Sequence, residues 1–244
     1  MKIIILAAGQ GTRLRPLTDN LPKCMVPLNG KALIDYQLDL FNSKQLNRIT
    51  VVGGYLIEKL QSRNVQIVKN NKYDTTNMVY SLFCAEKELD DDIIISYGDI
   101  VYKEEVLSKL IQSKEKISVV VDRNWREYWE ARMDNPLDDA ETLKLENNEI
   151  IELGKKPKSY NDIEGQYIGL IKFSKEIISE IVKYYHSLDK NIIYDGKDFN
   201  NMYMTTFLRL LGEKLSPLRP VLIDNGWMEI DCPEDLNHSF FLNK

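Results

Sequence analysis

Over the first hundred residues, short aliphatic runs alternate with stretches whose apolar positions recur every three or four residues. Residues 3–6 form one run, closed by Ala7, Ala8 and Gly9. Residues 49–52 form a second, closed by Gly53 and Gly54, and residues 65–68 a third. Residues 93–96 form a fourth, closed by Tyr97, Gly98 and Asp99. Continuous runs of this length predict strands buried on both faces. Between them, residues 32–42, 56–61 and 78–89 carry helical spacing. Strand, helix and strand at this pitch predict parallel strands joined by crossover helices, the α/β class. Glycine follows three of the four strands, at the carboxyl edge where open α/β sheets bind ligands.

After residue 115 the pattern loosens. Residues 117–121 predict a strand, and 122–136 form a polar stretch that contains Trp125 and Trp129. Residues 142–145 and 150–153 predict short strands around Asn147-Asn148, a pair suited to a hairpin turn. Residues 165–173 predict another strand, and 174–187 an amphipathic helix with Ser174 as its cap. A helix over 199–211, a strand over 221–223 and a short helix over 233–241 complete the chain. There is no linker rich in Pro, Gly or Ser, no internal repeat and no low-complexity tract. The expected architecture is one domain over 1–244, with a mostly parallel Rossmann-like sheet flanked by helices. Its core would span 1–115, an inserted β-rich subregion would lie within 116–231, and 232–244 would form a C-terminal helix.

Composition narrows the classes. The chain has 244 residues, 43% hydrophobic and 28% charged, which excludes disordered and collagen-like proteins. Lys and Arg number 32 against 37 Asp and Glu, for a net charge of −5. That balance argues against general nucleic-acid binding, which works by neutralising phosphates with Lys and Arg. No apolar run approaches the roughly 20 residues that span a bilayer, and residues 3–8 are too short and too lightly flanked for a signal peptide. Cys24, Cys84 and Cys232 lack CxxC spacing, and His186 and His238 are too few for a histidine-rich metal site, so neither a disulfide framework nor zinc is predicted. A reduced, cytoplasmic protein is expected, with neither nucleic acid nor membrane as partner.

The segment LAAGQGTRLRPLTDNLPKCMVPL, residues 6–28, carries the most chemistry. A buried strand ends in small residues, and a loop follows with Gly9, Gly11 and Thr12. Small residues let the backbone approach a ligand, and successive N–H groups in such a loop form an anion nest. Arg13, Arg15 and Lys23 add positive charge, while Pro16 and Pro22 stiffen the path. Nest, arginine and lysine together suit a polyphosphate. The bland alternative is a glycine turn flanked by solvated basic residues. The segment is not a Walker A loop, because no Gly-Lys-Ser or Gly-Lys-Thr follows, and Leu14 stands where a dinucleotide fingerprint needs its third glycine.

The segment resembles the signature of the nucleotidyltransferases that make nucleoside-diphosphate sugars and CDP-activated small molecules. The match runs through Leu6, Ala7, Ala8, Gly9, Gly11, Thr12, Arg13, Leu14, Pro16, Leu17, Thr18, Pro22, Lys23 and Pro27. The resemblance implies that Arg13 and Lys23 are the catalytic cations on the triphosphate of the incoming nucleotide. It implies further that residues 6–9, 11 and 12 line the nucleotide. It makes 1–115 the nucleotide-binding core and 116–231 the acceptor-binding part.

Two acidic motifs extend this reading. Asp99 after the fourth strand is a turn or cap residue on the bland reading, and a ligand for a hard cation on the other. In Trp227-Met228-Glu229-Ile230-Asp231, alternation places Glu229 and Asp231 on one face of a strand. Glu234 and Asp235 read as acids enriched at a helix start. The resemblance implies that Asp99 and Asp231 hold Mg2+, the expected cofactor. Gly53, Tyr55 and Asn71 lie at the strand edge, and Asn77 and Ser81 in the helix that follows; these are nucleotide-binding candidates. Asn77 reads equally well as a plain helix cap. The spacing Asn-x-x-x-Ser-Leu resembles the smaller phosphocholine-type cytidylyltransferases.

Later segments resemble that subgroup too: Trp125 and Trp129, Asp139-Ala140-Glu141, Gly154-Lys155-Lys156-Pro157, Tyr167-Ile168-Gly169 and Met202-Tyr203-Met204-Thr205. Acceptor-binding candidates are Trp125, Lys155, Lys156, Tyr167, Tyr203 and Trp227. Aromatic rings suit a cationic acceptor, although aromatics at regular spacing also build cores. Thr206 stands where the subgroup carries an acid. A pocket poorer in acids would suit an acceptor with its own carboxylate, such as an amino-acid derivative.

The implied reaction is in-line attack of an acceptor phosphate oxygen on the α-phosphorus of CTP, with release of pyrophosphate. CTP and a small phosphorylated acceptor are the expected partners, in the service of surface-polysaccharide modification. A homodimer is a candidate assembly. Two rivals stand beside this reading: a sugar-1-phosphate nucleotidyltransferase, and a catalytically silent nucleotide-sensing subunit.

Overall fold

The computed structural model describes residues 1–61 and 63–243. In chain order the first part contains β1 (Lys2–Ala7), β2 (Pro27–Leu28), β3 (Lys31–Ala32), α1 (Leu33–Ser43), β4 (Ile49–Gly53), β5 (Gln66–Lys69), α2 (Met78–Cys84), β6 (Ile93–Tyr97), β7 (Ile100–Tyr102) and α3 (Glu104–Gln112). The second part contains β8 (Ile117–Asp122), α4 (Trp125–Arg132), β9 (Leu143–Glu146), β10 (Glu149–Leu153), β11 (Gln166–Phe173), α5 (Lys175–Ser187), α6 (Met204–Lys214), β12 (Leu218–Ile223) and β13 (Trp227–Glu229). A 3-10 segment, Pro233–Asn243, follows.

Seven strands form one sheet in the order β12-β8-β11-β6-β1-β4-β5. β1 pairs in parallel with both β4 and β6, β4 with β5, and β8 with β12. β11 runs antiparallel between β6 and β8. This is the mostly parallel α/β sheet that the apolar runs predict. After residue 115 the β9–β10 hairpin stands outside the sheet, while β8, β11 and β12 extend it. Alternation along β1 separates two cores: Ile3 and Ile5 pack into one, Ile4 and Leu6 into the other. From β1 the chain crosses to β4 and β5 on one side, then returns to β6 on the other. The switch point therefore lies between β1 and β6, where a crevice opens at the strand ends.

Several elements differ from expectation. Residues 56–61 form only a 3-10 turn, Ile57–Leu60, and the helix expected over 78–89 stops at Cys84. The helix expected over 199–211 divides into a turn, Phe199–Asn201, and α6. Ser174 occupies the cap position of α5, yet its hydroxyl makes no cap bond. α3 adds a helix that buries Val106, Leu107 and Leu110. α4 forms inside the polar stretch because its buried positions, Trp125, Tyr128 and Trp129, recur at helical spacing. Asn147 and Asn148 take positive φ, 50° and 60°, as the hairpin turn requires. Among the described residues no helix is long and apolar enough to cross a membrane.

Candidate active site

The loop after β1 folds back on itself. Gly11 lies in the left-handed region at φ +62°, and a Cβ there would meet the Lys23 side chain at 3.0 Å. The Thr18 hydroxyl donates to the Gly11 carbonyl at 2.8 Å. One 3-10 turn, Thr12–Leu14, presents Arg13 outward, with a side chain 65% exposed. A second, Lys23–Met25, opened by Pro22, turns Lys23 inward to 16% exposure.

Two carboxylates meet Lys23 there. Gly98 ends β6 against β1: its N–H donates to the Leu6 carbonyl at 2.8 Å, and a Cβ would meet the Ala7 Cβ at 2.8 Å. A residue without a side chain is needed for that approach, and it delivers Asp99 beside the loop. The second carboxylate, Asp231, lies two residues past β13, which pairs antiparallel with β7 and sets Glu229 opposite Ile100. The Ile230 N–H then donates to the Asp99 carbonyl at 3.0 Å.

The Lys23 ammonium donates to Asp99 Oδ2 at 2.5 Å and to Asp231 Oδ1. Arg13 Nη2 lies 3.1 Å from Asp231 Oδ2. Burial acts to lower the Lys23 pKa, but Asp99 and Asp231 outweigh it and hold the ammonium above its ordinary range. Burial likewise acts to raise Asp231, but a bond from Glu229 and the Lys23 charge outweigh it and hold the carboxylate well below the usual range. Burial and the Asp231 charge push Glu229 well up. Two carboxylates converging on one cation form the oxygen donor set that a hard divalent ion takes, with phosphate oxygens and water completing the shell. The Lys23 ammonium sits between them. Among the described residues no group of three or more His, Cys, Asp or Glu is arranged to hold a metal ion. An ion here would therefore depend on substrate oxygens.

Two cavities flank this centre. A small one of about 110 Å³ is lined by Leu6, Ala8, Gly9, Tyr73, Thr76, Asn77, Met78 and Ser81. Asn77 caps α2, accepting from the Met78 N–H at 2.8 Å, and also lines this cavity. The Ser81 hydroxyl accepts from buried Asn70 at 3.0 Å. Tyr55 is set apart by its hydroxyl, which donates to the Asp19 carbonyl at 3.0 Å. Gly53 has Ile57 packed where a Cβ would stand, at 2.7 Å, and Asn71 is exposed; neither lines the cavity.

The larger cavity, about 290 Å³, adjoins Glu229 and is lined by the rings of Tyr97, Trp129, Tyr167 and Tyr203 and by Asp139, Glu141, Gln166 and Thr205. An irregularity in β11 between Tyr167 and Ile171 lets the Tyr97 and Tyr167 rings meet edge to face at 5.7 Å. Trp129 Nε1 donates to Asp139 Oδ2 at 3.1 Å. Burial pushes the Glu141 carboxyl up to about 7, helped by Asp139.

Of the acceptor candidates, Tyr167 and Tyr203 line this cavity and the other four do not. Trp125 is buried against Trp129 and Tyr160, and Trp227 is buried with its Nε1 on Asp122 at 2.8 Å. Both are core aromatics. Lys155 lies 3.6 Å from Glu152. Lys156 donates to the Leu137 and Asp138 carbonyls at 2.6 and 2.7 Å, tying down the turn before Asp139. The expectation of an acid-poor acceptor pocket is also corrected. Asp139, Glu141 and Glu229 supply three carboxyl groups, and no Lys or Arg is among the residues lining it. Thr206 is buried instead. These acids come from the turn and loop before β9 and from β13, which converge only in the fold.

The MobA-like NTP transferase domain matches this chain over residues 3–188. A CTP:phosphoglutamine cytidylyltransferase from Campylobacter jejuni subsp. jejuni serotype O:2 is 49% identical over 247 aligned residues, which cover 97% of this chain and 98% of the relative. A choline-phosphate cytidylyltransferase from Streptococcus pneumoniae is 40% identical over 117 aligned residues, 46% of this chain and 51% of the relative. The solved inositol-1-phosphate CTP transferase of T. maritima superposes with a TM-score of 0.76 at 21% identity, covering 98% of this chain and 93% of its own. The CTP:phosphocholine cytidylyltransferase of Streptococcus pneumoniae gives 0.71 at 24% identity, covering 100% and 99%. At such identities the structural likeness speaks for the fold. With a domain match over most of its length and a near-half-identical relative over nearly all of it, the chain belongs to the MobA-like NTP transferase family.

Proposed function

We propose that this protein transfers a cytidylyl group from CTP to a small phosphorylated acceptor that bears an ammonium group, with phosphoglutamine the leading candidate. The observation that carries the proposal is the pair Asp99 and Asp231 clasped on Lys23 at the switch point, beside a cavity with three carboxyl groups. The near-full-length likeness to a CTP:phosphoglutamine cytidylyltransferase supports the same acceptor.

In this reading the loop amides of residues 9–12, Arg13 and Lys23 hold the triphosphate and neutralise the charge that develops on the departing pyrophosphate. The acceptor phosphate is already an anion, so no general base is needed, and catalysis rests on bringing two anions into line. A divalent ion such as Mg2+, held by Asp99 and Asp231 when bound, would supply further positive charge beside the phosphates. Leu6, Ala8, Asn77 and Ser81 would face the nucleotide from the small cavity. Asp139, Glu141 and Glu229 would face the acceptor's ammonium, whose charge would favour their ionised forms, with the Trp129 and Tyr167 rings beside it. A hexose phosphate carries no cation to pair with these carboxyl groups, which disfavours the sugar reading. The silent-subunit reading would expect one of Arg13, Lys23, Asp99 or Asp231 to be missing or misplaced, and all four converge. Its proposed substrate, CTP, is a cytoplasmic nucleotide, so the protein is read as a cytoplasmic enzyme.

The test is pyrophosphate release with each of the four ribonucleoside triphosphates against phosphoglutamine, phosphocholine and glucose-1-phosphate. Turnover with CTP and phosphoglutamine is expected. Turnover confined to glucose-1-phosphate would refute the proposal.

A further inference from the structure

Behind the carboxylate pair lies an ion pair that contacts neither cavity. Arg132, the last residue of α4, has a side chain 1% exposed, and so does its partner Asp235. Its Nε donates to Asp235 Oδ1 at 2.7 Å and its Nη2 to Asp235 Oδ2 at 3.2 Å, a two-pronged grip. The same Nη2 lies 3.5 Å from Glu229 Oε1. The guanidinium also sits over the rings of Tyr128 and Trp129, at 4.9 and 5.5 Å. Asp235 Oδ2 in turn accepts the backbone N–H groups of Asp231 at 2.7 Å and Cys232 at 2.9 Å. The backbone of the second carboxylate is thus fastened to a buried arginine through a single aspartate. Tyr128, four residues before Arg132 in sequence and one turn back on α4, accepts the Glu229 N–H at 3.0 Å and donates to the Glu229 carbonyl at 2.9 Å.

We propose that Arg132 is a positioning residue: through Asp235 it fixes the Asp231 carboxylate, and directly it fixes Glu229, at the geometry that receives a divalent ion. A buried pair of this kind is weak evidence for stability, since apolar residues of like volume often serve as well. Arg132 even carries a buried Nη1 with no hydrogen-bond partner among the described residues, an arrangement that stability alone does not favour. What the pair supplies is orientation. The Arg-carboxylate fork is planar and directional, and its two remaining bonds fall on the amide of Asp231 and the one after it. A site held about 1 Å out of place loses on the order of a hundredfold in rate.

This inference rests on the reading of Asp99 and Asp231 as metal ligands. The experiment uses the full chain, Mn2+ and CTP. Free Mn2+ is followed by electron paramagnetic resonance in the presence of CTP, CTP binding is measured separately in chelator, and folding is checked by thermal melting. Arg132→Met is expected to fold, to bind Mn2+ at least tenfold more weakly than wild type, and to bind CTP in chelator within twofold of it. Arg132→Lys should recover part of the Mn2+ affinity. Native Mn2+ affinity in a folded Arg132→Met would overturn the proposal, as would parallel loss of metal-free CTP binding. If Arg132→Met does not fold, Asp235→Asn decides by the same criteria, and failure of both to fold makes the pair structural and overturns the proposal. A wild-type chain that binds no Mn2+ with CTP present would instead refute the metal reading on which this one stands.

Discussion

Replacing Lys23 with alanine removes the one ammonium that touches both Asp99 and Asp231. Lys23, Asp99 and Asp231 have side chains only 16%, 17% and 14% exposed, so water cannot fully screen the two carboxylates left facing each other. Removing one partner of a buried ion pair typically costs about 3–5 kcal/mol, and with this partial exposure the low end applies, about 3 kcal/mol. For a chain of this size each kcal/mol moves the melting point by about 2–4 °C, so Lys23→Ala should melt roughly 6–12 °C below wild type in chelator. A divalent cation can occupy the vacated position, and Mn2+ should then raise the melting point of the variant far more than that of wild type. Turnover should nonetheless fall by a hundredfold or more, the scale of losing one preorganised charge contact of about 3 kcal/mol. The assay is thermal melting by circular dichroism, with and without Mn2+, beside pyrophosphate release. If Lys23→Ala melts within about 2 °C of wild type in chelator, or if Mn2+ shifts the two proteins equally, the ammonium does not stand in for a metal.

Further outcomes follow from other contacts. Arg13→Ala should lower turnover by about a hundredfold with little change in melting point, because its side chain is 65% exposed and it acts on the charge developing in the transition state; unchanged turnover would free Arg13 of any catalytic part. Glu141 keeps its proton in the folded chain up to about 7 against 4.5 for the free group. Its contribution to stability is therefore full below 4.5 and is lost as the pH rises through 7. Glu141→Gln should accordingly gain up to about 3 kcal/mol over wild type at pH 8 and nothing at pH 4, while the acceptor KM rises. An equal stability difference at both pH values would contradict this. Trp129→Phe loses the bond to Asp139 and should raise the acceptor KM with the CTP KM unchanged, whereas Trp125→Phe should cost stability alone; steady-state kinetics beside a melt separate the two.

The parts of the fold written in local pattern were legible in the sequence, and the parts that depend on distant pairing were not. The runs at 3–6, 49–52 and 93–96 appear as the buried strands β1, β4 and β6 within a residue of their expected ends. Their burial on both faces imposes an unbroken apolar signal. β7 and β13 are three residues each and exist because they pair with one another, which no local periodicity announces. α4 was hidden because its apolar positions are aromatic and its other positions strongly polar. Within the site, the motif residues Arg13, Lys23, Asp99 and Asp231 do converge. The resemblance of residues 6–28 to the nucleotidyltransferase signature pointed to them, where charge type at strand ends alone also fits plain turns and caps. The acceptor side was harder to read, because ring and charge type do not reveal which way a side chain points. Trp125 and Trp129 share a helix face, yet only Trp129 reaches the cavity. Lys156 is spent on backbone carbonyls. Arg132 and Asp235 gave no sign at all, since an arginine in a polar stretch and an acid at a helix start have ordinary surface roles.

The central claim is that the Gly9–Gly11 loop with Arg13 and Lys23 grips a triphosphate while Asp99 and Asp231 receive a metal. Crystals grown with CTP and Mn2+ test it through the anomalous signal of manganese. The account predicts a peak between Asp99 and Asp231, phosphate density over residues 9–13, and the Lys23 ammonium moved from the carboxylates onto the phosphates. Manganese and nucleotide bound elsewhere, with Lys23 still joined to both aspartates, would contradict it.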